Sequence, residues 1–306
     1  MCLESVFLLK KELDVIISSR LKILLHSFLF VLFGILFSYQ LMNIPFHTIN
    51  VFNWLWLIPV LVLVPLNWYL EFQKWRKQLT FLNLPKTHSI QSFAAGMVSE
   101  FIIPGIPTNF IGRILFFDST VRLALAGWTQ ITNAIQFLVT VLCGVVAILV
   151  LGKGSLVTLG FLLGIFGVIL VTWMIPAVRI TVRKRFPALF LGEIKPRKIV
   201  VYLLQIGILS IFRMIVFSLQ FALLLNIFGI PISFELVWWI WLSYLSVTVT
   251  PSLFLGKLFV RETITVAIFQ LGNYDSAPVL LASFSIWFIN GLIPTIFAWI
   301  LTMNKK

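Results

Sequence analysis

Arg113, Arg213, Lys257 and Arg261 are the residues most able to do chemistry, because each sits inside apolar sequence with few other charges around it. Arg213 lies about fourteen residues into the apolar run 199–228, near the middle of a bilayer if that run spans one. A cation at that depth needs a partner or a wet cavity. Two readings follow: a structural ion pair with Glu100, Asp118 or Glu262, or an anchor for a phosphate, which a planar guanidinium can hold through two parallel hydrogen bonds. Glu100, the one acid in its stretch, is a candidate proton carrier or a buried partner for Arg213. Arg261 and Glu262 could cap a hairpin or gate a cavity. Asn109 and the cluster Ser243, Ser246, Thr248 and Thr250 could bind head-group oxygens, or could satisfy backbone freed by nearby prolines.

Several of these residues fall in a segment that occurs twice. Pro107-Thr108-Asn109-Phe110-Ile111-Gly112-Arg113-Ile114-Leu115-Phe116-Phe117-Asp118 returns 144 residues later as Pro251-Ser252-Leu253-Phe254-Leu255-Gly256-Lys257-Leu258-Phe259-Val260-Arg261-Glu262. Pro, Phe and Gly recur identically, and Arg/Lys and Asp/Glu keep their chemistry at matching positions. Ser99 has its counterpart at Ser243. Broken apolar segments at corresponding positions of two halves point to the binding site of a membrane transporter.

The composition requires a membrane. Of the 306 residues 60% are hydrophobic and only 11% charged, and the mean hydropathy is +1.06, far outside the range of soluble domains. The net charge of +13 therefore reads as a topology signal and not as a nucleic-acid surface. Cys2 and Cys143 are too few for a disulfide framework or a metal site, and Cys143 reads as packing. His26, His47 and His88 are scattered, no Walker A pattern is present, and the apolar runs leave no room for a soluble catalytic domain. No catalytic residue, metal or cofactor is expected. No removable signal peptide is expected either, since acids mix with the lysines of the N-terminus.

The elements that must position the cations follow from the apolar runs. Residues 1–22 read as a cytoplasmic amphipathic helix, 23–42 as a first crossing, and 54–70 as a second whose Glu71 to Lys77 tail is a cytoplasmic ending. Residues 89–117, interrupted by Pro104, Gly105 and Pro107, read as a re-entrant hairpin, since irregular backbone at membrane depth must be buried or face water. The run 123–151 carries Gln130, Asn133 and Gln136 on roughly one face. Further crossings are expected at 156–175, 199–228 and 278–303, and a second broken segment at 236–262, with Pro251 and Gly256 as its breakers and Gly112 as the matching glycine of the first. Trp238, Trp239 and Trp241 suit an interface belt. The basic loop between Arg179 and Lys198 is a topology determinant that could also attract anionic lipids.

These elements predict an all-α polytopic membrane protein made of an inverted repeat of two halves, 23–152 and 153–306. Each half has three crossings and one broken hairpin. An odd number of crossings per half turns the second half over, and 19 of the 23 Lys and Arg then fall on the cytoplasmic side with both termini. Hairpin one would open from the cytoplasm and hairpin two from outside, as in an alternating-access carrier.

The residues also resemble the lysylphosphatidylglycerol synthase transmembrane-region family, the flippase-like domain proteins, over nearly the whole chain. Trp75-Arg76 resembles the family's aromatic-Arg ending of the second span, Pro104-Gly105 to Arg113 its Pro-Gly-rich segment, and Pro251 to Glu262 its Pro-Gly-Gly-Leu-Gly-x-Arg-Glu segment. Arg113 stands where the family usually has Glu, and Lys257 and Phe259 stand where glycines are common. The resemblance implies movement of a lipid between leaflets of the inner membrane, an aminoacylated phospholipid or a polyprenyl-linked saccharide among them. The soluble synthase domain is absent from the sequence.

The expected substrate-binding residues are thus Arg213, Arg113, Lys257, Arg261, Glu262 and Asn109, with membrane lipids as partners, no nucleic acid, and a homo-oligomer open. A secondary carrier of a small solute and a non-transporting membrane partner protein are the alternatives. Cysteines placed at Asn109 and Leu253 should react with an impermeant thiol reagent from opposite faces of intact vesicles; reaction of both from one face would contradict the inverted topology.

Overall fold

The computed structural model describes residues 28, 31–42, 54–102, 108–152, 196–250 and 259–303. The expectations for the N-terminal helix, the crossing at 156–175, Pro104, Gly105, Pro107, Pro251, Gly256 and Lys257 lie outside the described residues. The described chain is helical throughout. In order, α1 is Val31–Met42, a 3-10 turn covers Trp54–Trp56, and α2 is Leu57–Phe81. Then come α3 (Ser89–Ile102), α4 (Asn109–Ile114) and α5 (Ser119–Val150). After them follow α6 (Pro196–Ile227), α7 (Phe234–Val249), α8 (Val260–Gln270) and α9 (Ser276–Trp287). A π-helical turn, Phe288–Leu292, joins α9 to α10 (Ile293–Met303). Four of these helices are long and apolar enough to cross a membrane: Trp54–Phe81, Ser119–Val150, Pro196–Ile227 and Ser276–Met303.

Local chemistry sets the helix ends. Asn83, Gly229 and Asn273 adopt positive φ, and the residue after each donates five residues back: Leu84 to Leu79, Ile230 to Leu225 and Tyr274 to Phe269. This left-handed ending satisfies carbonyls that an α-helix leaves open. The Ser233 hydroxyl caps α7 by accepting from the Leu236 N–H at 3.1 Å. The π turn ends two residues before Pro294, whose missing N–H would deprive the carbonyl four residues earlier, that of Asn290, of its α-helical donor.

The second crossing is longer than the sequence suggests. It continues to Phe81, not Leu70, and Glu71, Lys74, Trp75 and Gln78 are buried residues of that helix. α2 and α6 run antiparallel. Phe81 stacks on Tyr202 with centroids 4.3 Å apart, Arg213 meets Glu71 at 2.8 Å, and Gln220 donates to the Val60 carbonyl at 3.2 Å. The tryptophans of α7 also depart from expectation. Trp239 is 2% exposed, with its indole N–H on Glu235, and Trp241 donates to Ser218 at 2.9 Å. Trp239 is thus packed in the core, and Trp241 joins α7 to α6.

α3 and α4 cross with their backbones in contact. A Cβ on Gly112 would overlap the Ala95 carbonyl, and one on Gly96 would come 2.7 Å from Arg113 Cγ. Ser99 Oγ accepts from the Gly112 N–H at 3.2 Å, and Thr108 Oγ1 donates to the Ser99 carbonyl at 3.1 Å. Ser243, Ser246 and Thr250 of the second segment bond to carbonyls three or four residues back. Hydroxyl satisfaction of backbone is thus what these Ser and Thr residues do. Both ends of the α3–α4 pair lie against Trp75, which donates to Ser92 at 3.1 Å and meets the Phe117 ring edge-on at 6.0 Å. The start of α7 and the end of α8 likewise lie together, at Trp239 with Tyr274.

Two apolar clusters result. One gathers Trp75, Leu79, Phe81, Leu125, Trp128 and Tyr202; the other gathers Phe221, Leu225, Leu236, Trp239, Val266 and Phe269. Gly112→Ala should destabilise the detergent-solubilised protein by about 1–3 kcal/mol, the usual cost of forcing volume into a closed contact. Gly207→Ala, with no atom within 4 Å of the added methyl group, should be neutral or stabilising. Equal thermal midpoints for the two variants would contradict the backbone crossing.

Candidate functional site

Glu71 organises the polar groups at the centre of the bundle. Its side chain is 6% exposed, and its Oε2 accepts from Lys74 Nζ at 2.6 Å and from Arg213 Nη1 at 2.8 Å. Its Oε1 faces Arg113 Nη2 at 3.3 Å. The helical period explains the local placement: Asn67, Glu71, Lys74 and Gln78, spaced by four, three and four, share one face of α2. That face meets α6. α4 delivers Arg113 because the glycine crossing lets it approach α3.

A layer of amides extends the cluster. Arg213 Nε donates to Asn67 Oδ1 at 3.0 Å, Asn67 donates to Asn290 at 3.2 Å, and Asn290 donates to Gln220 at 3.1 Å. Lys74 also donates to Gln136 at 3.0 Å. Asn109 and Asn133 exchange amide hydrogen bonds at 3.2 and 3.0 Å. The polar face expected on α5 is therefore turned into this layer, Gln130 lying 3.5 Å from Asn133. Aromatic faces complete the wall: Arg113 lies over Trp75 and Phe93, 5.1 and 5.3 Å from the ring centres, and Arg213 over Phe217 at 5.2 Å and Trp68 at 5.9 Å.

The three cations are not equivalent. Lys74 and Arg113 are each 2% exposed, whereas the Arg213 side chain is 16% exposed. Arg213 commits Nε to Asn67 and Nη1 to Glu71, and its Nη2 makes no hydrogen bond among the described residues. Three cations against one carboxylate leave positive charge in excess. Glu100, at the inner end of α3, lies within electrostatic reach of all four groups. It is exposed and makes no ion pair or hydrogen bond among the described residues.

The structure therefore brings together Arg213, Arg113 and Asn109 and leaves other expected residues elsewhere. Arg213 pairs with Glu71 and Asn67, not with Glu100, Asp118 or Glu262; Asp118 is exposed and precedes α5. Arg113 is buried in the layer, not solvated at a hairpin end. Arg261 and Glu262 lie on α8 and touch each other at 3.6 Å without joining the Glu71 cluster. Glu71, Lys74, Asn67, Gln220 and Asn290 are functional candidates absent from the sequence reading. The stripe from Asn67 to Gln78 on an apolar helix was the available signal for the first three.

The layer carries more positive than negative charge, and among the described residues the Nη2 of Arg213 is open to an acceptor. Among the described residues, no group of three or more His, Cys, Asp or Glu side chains could hold a metal. No family model matches this chain, and no curated protein or solved structure does.

Glu71→Ala should cost about 3–5 kcal/mol, because it strands buried cations. Adding Arg213→Met should recover part of that loss. Losses that simply add in a double-mutant cycle of thermal or denaturant stability would show that Glu71 and Arg213 are not coupled.

Proposed function

We propose that the protein is a flippase-like lipid translocase, in which an anionic or zwitterionic phospholipid, or a polyprenyl-linked lipid, moves between leaflets by alternating access at the Glu71 layer. The observation that carries this reading is Arg213, a guanidinium in the bundle whose side chain is 16% exposed and whose Nη2 makes no hydrogen bond among the described residues, beside an excess of positive charge. Ile211, Phe212 and Ile215, the neighbours of Arg213 on α6, are exposed apolar residues, so the site opens next to surface suited to hydrocarbon. That favours a lipid, whose head group needs the wet path while its chains stay in the bilayer. Lys74 and Arg113 hold Glu71, and Arg213 is the arm that exchanges Glu71 for the cargo phosphate.

Several contacts support an inverted relation between the halves. Displaced by 144 residues, Trp54–Phe81 falls on 198–225, within α6, and Ser89–Ile102 falls on 233–246, over α7. A two-fold axis in the membrane plane would require α2 and α6 to be antiparallel, as they are. It would also turn the approach of Leu245 to Gly144 into one of residue 101 to residue 288. Phe101 stacks on Trp287 at 6.0 Å and lies 3.8 Å from the position of a Cβ on Gly291. In this arrangement α3–α4 is a re-entrant hairpin from the cytoplasm, α7–α8 belongs to one from outside, and both termini are cytoplasmic in the inner membrane. Two such halves rocking about the layer would expose it alternately. The resemblance to the flippase-like domain proteins supports lipid as the cargo.

The test is mass spectrometry of lipids that co-purify with the protein, followed by a vesicle flipping assay with the enriched class. One phosphate-bearing lipid class should be enriched in the wild type and fall roughly tenfold or more in Arg213→Ala, the scale of a lost charge-assisted hydrogen bond. An unselective profile, unchanged by Arg213→Ala and Arg261→Ala, would overturn the lipid reading and favour a carrier of small anions.

A further inference from the structure

Glu100 is the only ionisable residue of α3, and its place follows from the contact that seats α4. A Cβ on Gly96 would lie 2.7 Å from Arg113 Cγ and 2.8 Å from its Nε, so the Gly96 face of α3 rests on the Arg113 side chain. Glu100 is the next residue on that face, one turn on, and helical side chains lean toward the N-terminus of their helix, here back toward Gly96. Arg113 Nε is buried and has no acceptor. Glu100 is exposed and has no ion pair or hydrogen bond among the described residues.

Few charged groups face this carboxyl. α4 presents Arg113, α2 presents Glu71 and Lys74, and α6 presents Arg213, each within electrostatic reach of Glu100. On its other side α3 packs on α10, and Phe101 stacks on Trp287 of α9; from Ser276 through Met303 there is no ionisable side chain. Three cations against two carboxylates leave the group with one positive charge.

A phosphodiester head group brings one negative charge. When Arg213 turns from Glu71 to that phosphate, the cationic field that keeps both carboxylates ionised weakens, and the phosphate adds a like charge that favours a neutral carboxyl. Glu71 keeps Lys74 at 2.6 Å and Arg113 at 3.3 Å. Glu100 has no such pair to keep, so the proton goes to Glu100. With phosphate and proton both bound, the group again carries the single positive charge of the empty site. We propose that Glu100 is a proton-binding site that makes the protein a symporter, taking up one proton for each phosphodiester bound at Arg213.

This coupling rests on the translocase reading. Linkage is reciprocal, so a proton on Glu100 raises the affinity of Arg213 for phosphate by the factor by which phosphate raises the affinity of Glu100 for a proton. The loaded site holds more protons than the empty one. Affinity for the lipid therefore falls as pH rises between the two titrations of Glu100, empty and loaded, by at most about tenfold per pH unit, the limit for one proton. Cargo loads on the acidic side of the membrane and leaves on the alkaline side.

The test is calorimetric titration of the purified full chain in detergent with dihexanoyl phosphatidylglycerol, a soluble phosphodiester lipid, from about pH 5 to about pH 8. Buffers of different protonation enthalpy report the protons taken up on binding. The wild type should bind more weakly as pH rises, with uptake approaching one proton per lipid over that fall. Glu100→Gln, whose side chain is neutral at every pH, should bind at alkaline pH as tightly as the wild type does at acidic pH, without uptake. Glu100→Ala is the second neutral variant should Glu100→Gln not fold, and Glu100→Asp should restore the uptake. Wild-type binding that is independent of pH and takes up no proton overturns the coupling alone. Uptake unchanged in the neutral variants overturns the assignment to Glu100 and passes it to Glu71 or Lys74. No binding by the wild type at any pH removes the phosphate reading at Arg213 and the coupling with it.

Discussion

A carboxylate enclosed by three cations is the interaction on which the bundle depends. In a hydrocarbon slab neither sign of charge can be left alone, so once Glu71 is placed on the inner face of α2, helices carrying Lys74, Arg113 and Arg213 must bring them to it. The amides around the cluster serve the same end. Asn67, Gln136, Asn133, Asn109, Gln220 and Asn290 bond one another or the cations, and they join α2, α4, α5, α6 and the π turn into one polar layer between two apolar clusters. Helices in lipid gain little from burial of apolar area against one another. A directional layer of this kind fixes register where apolar packing alone would not.

The layer could not close without the contact between α3 and α4. Arg113 reaches Glu71 from a helix of only six residues, and that helix is held by Gly112 against the Ala95 backbone and by the Ser99 and Thr108 hydroxyls. Any side chain at residue 112 would push Arg113 away from the carboxylate. The glycine and the arginine beside it are thus one device, which gives physical content to their joint recurrence as Gly256-Lys257.

The charge distribution also separates roles within the site. Full burial of Lys74 and Arg113 makes them fixed parts of the Glu71 cage, while the partial exposure of Arg213 leaves it a bond to offer. Glu100 adds a carboxylate in the field of the same cations. The buried and unsatisfied Arg261–Glu262 pair differs in kind: its ion-pair distance is long and its remaining polar atoms have no bonds among the described residues. One cluster is saturated around its acid and open at one cation; the other is unsatisfied at both charges.

The sequence by itself determined the class of protein, the helices and much of the polar inventory. Hydropathy is a local sum, so the long spans were legible to within a few residues, apart from α2. The spacing of Gln130, Asn133 and Gln136, and the recurrence of the Pro-to-acid segment, marked residues that do face the polar layer, Asn109 and Arg113 among them. Tertiary structure alone decided who pairs with whom. Glu71 and Lys74 follow an apolar run and precede Arg76 and Lys77, and a local charge count assigns all four to the cytoplasm; only the α6 partner, 142 residues away in sequence, carries two of them into the core. The same holds for the tryptophans of α7, whose composition fits an interface and whose packing against Ser218 and Tyr274 is set by neighbours that no local window contains. Burial of a charge depends on the distant groups that meet it, and for that reason the fold could be read along the chain while the site could not.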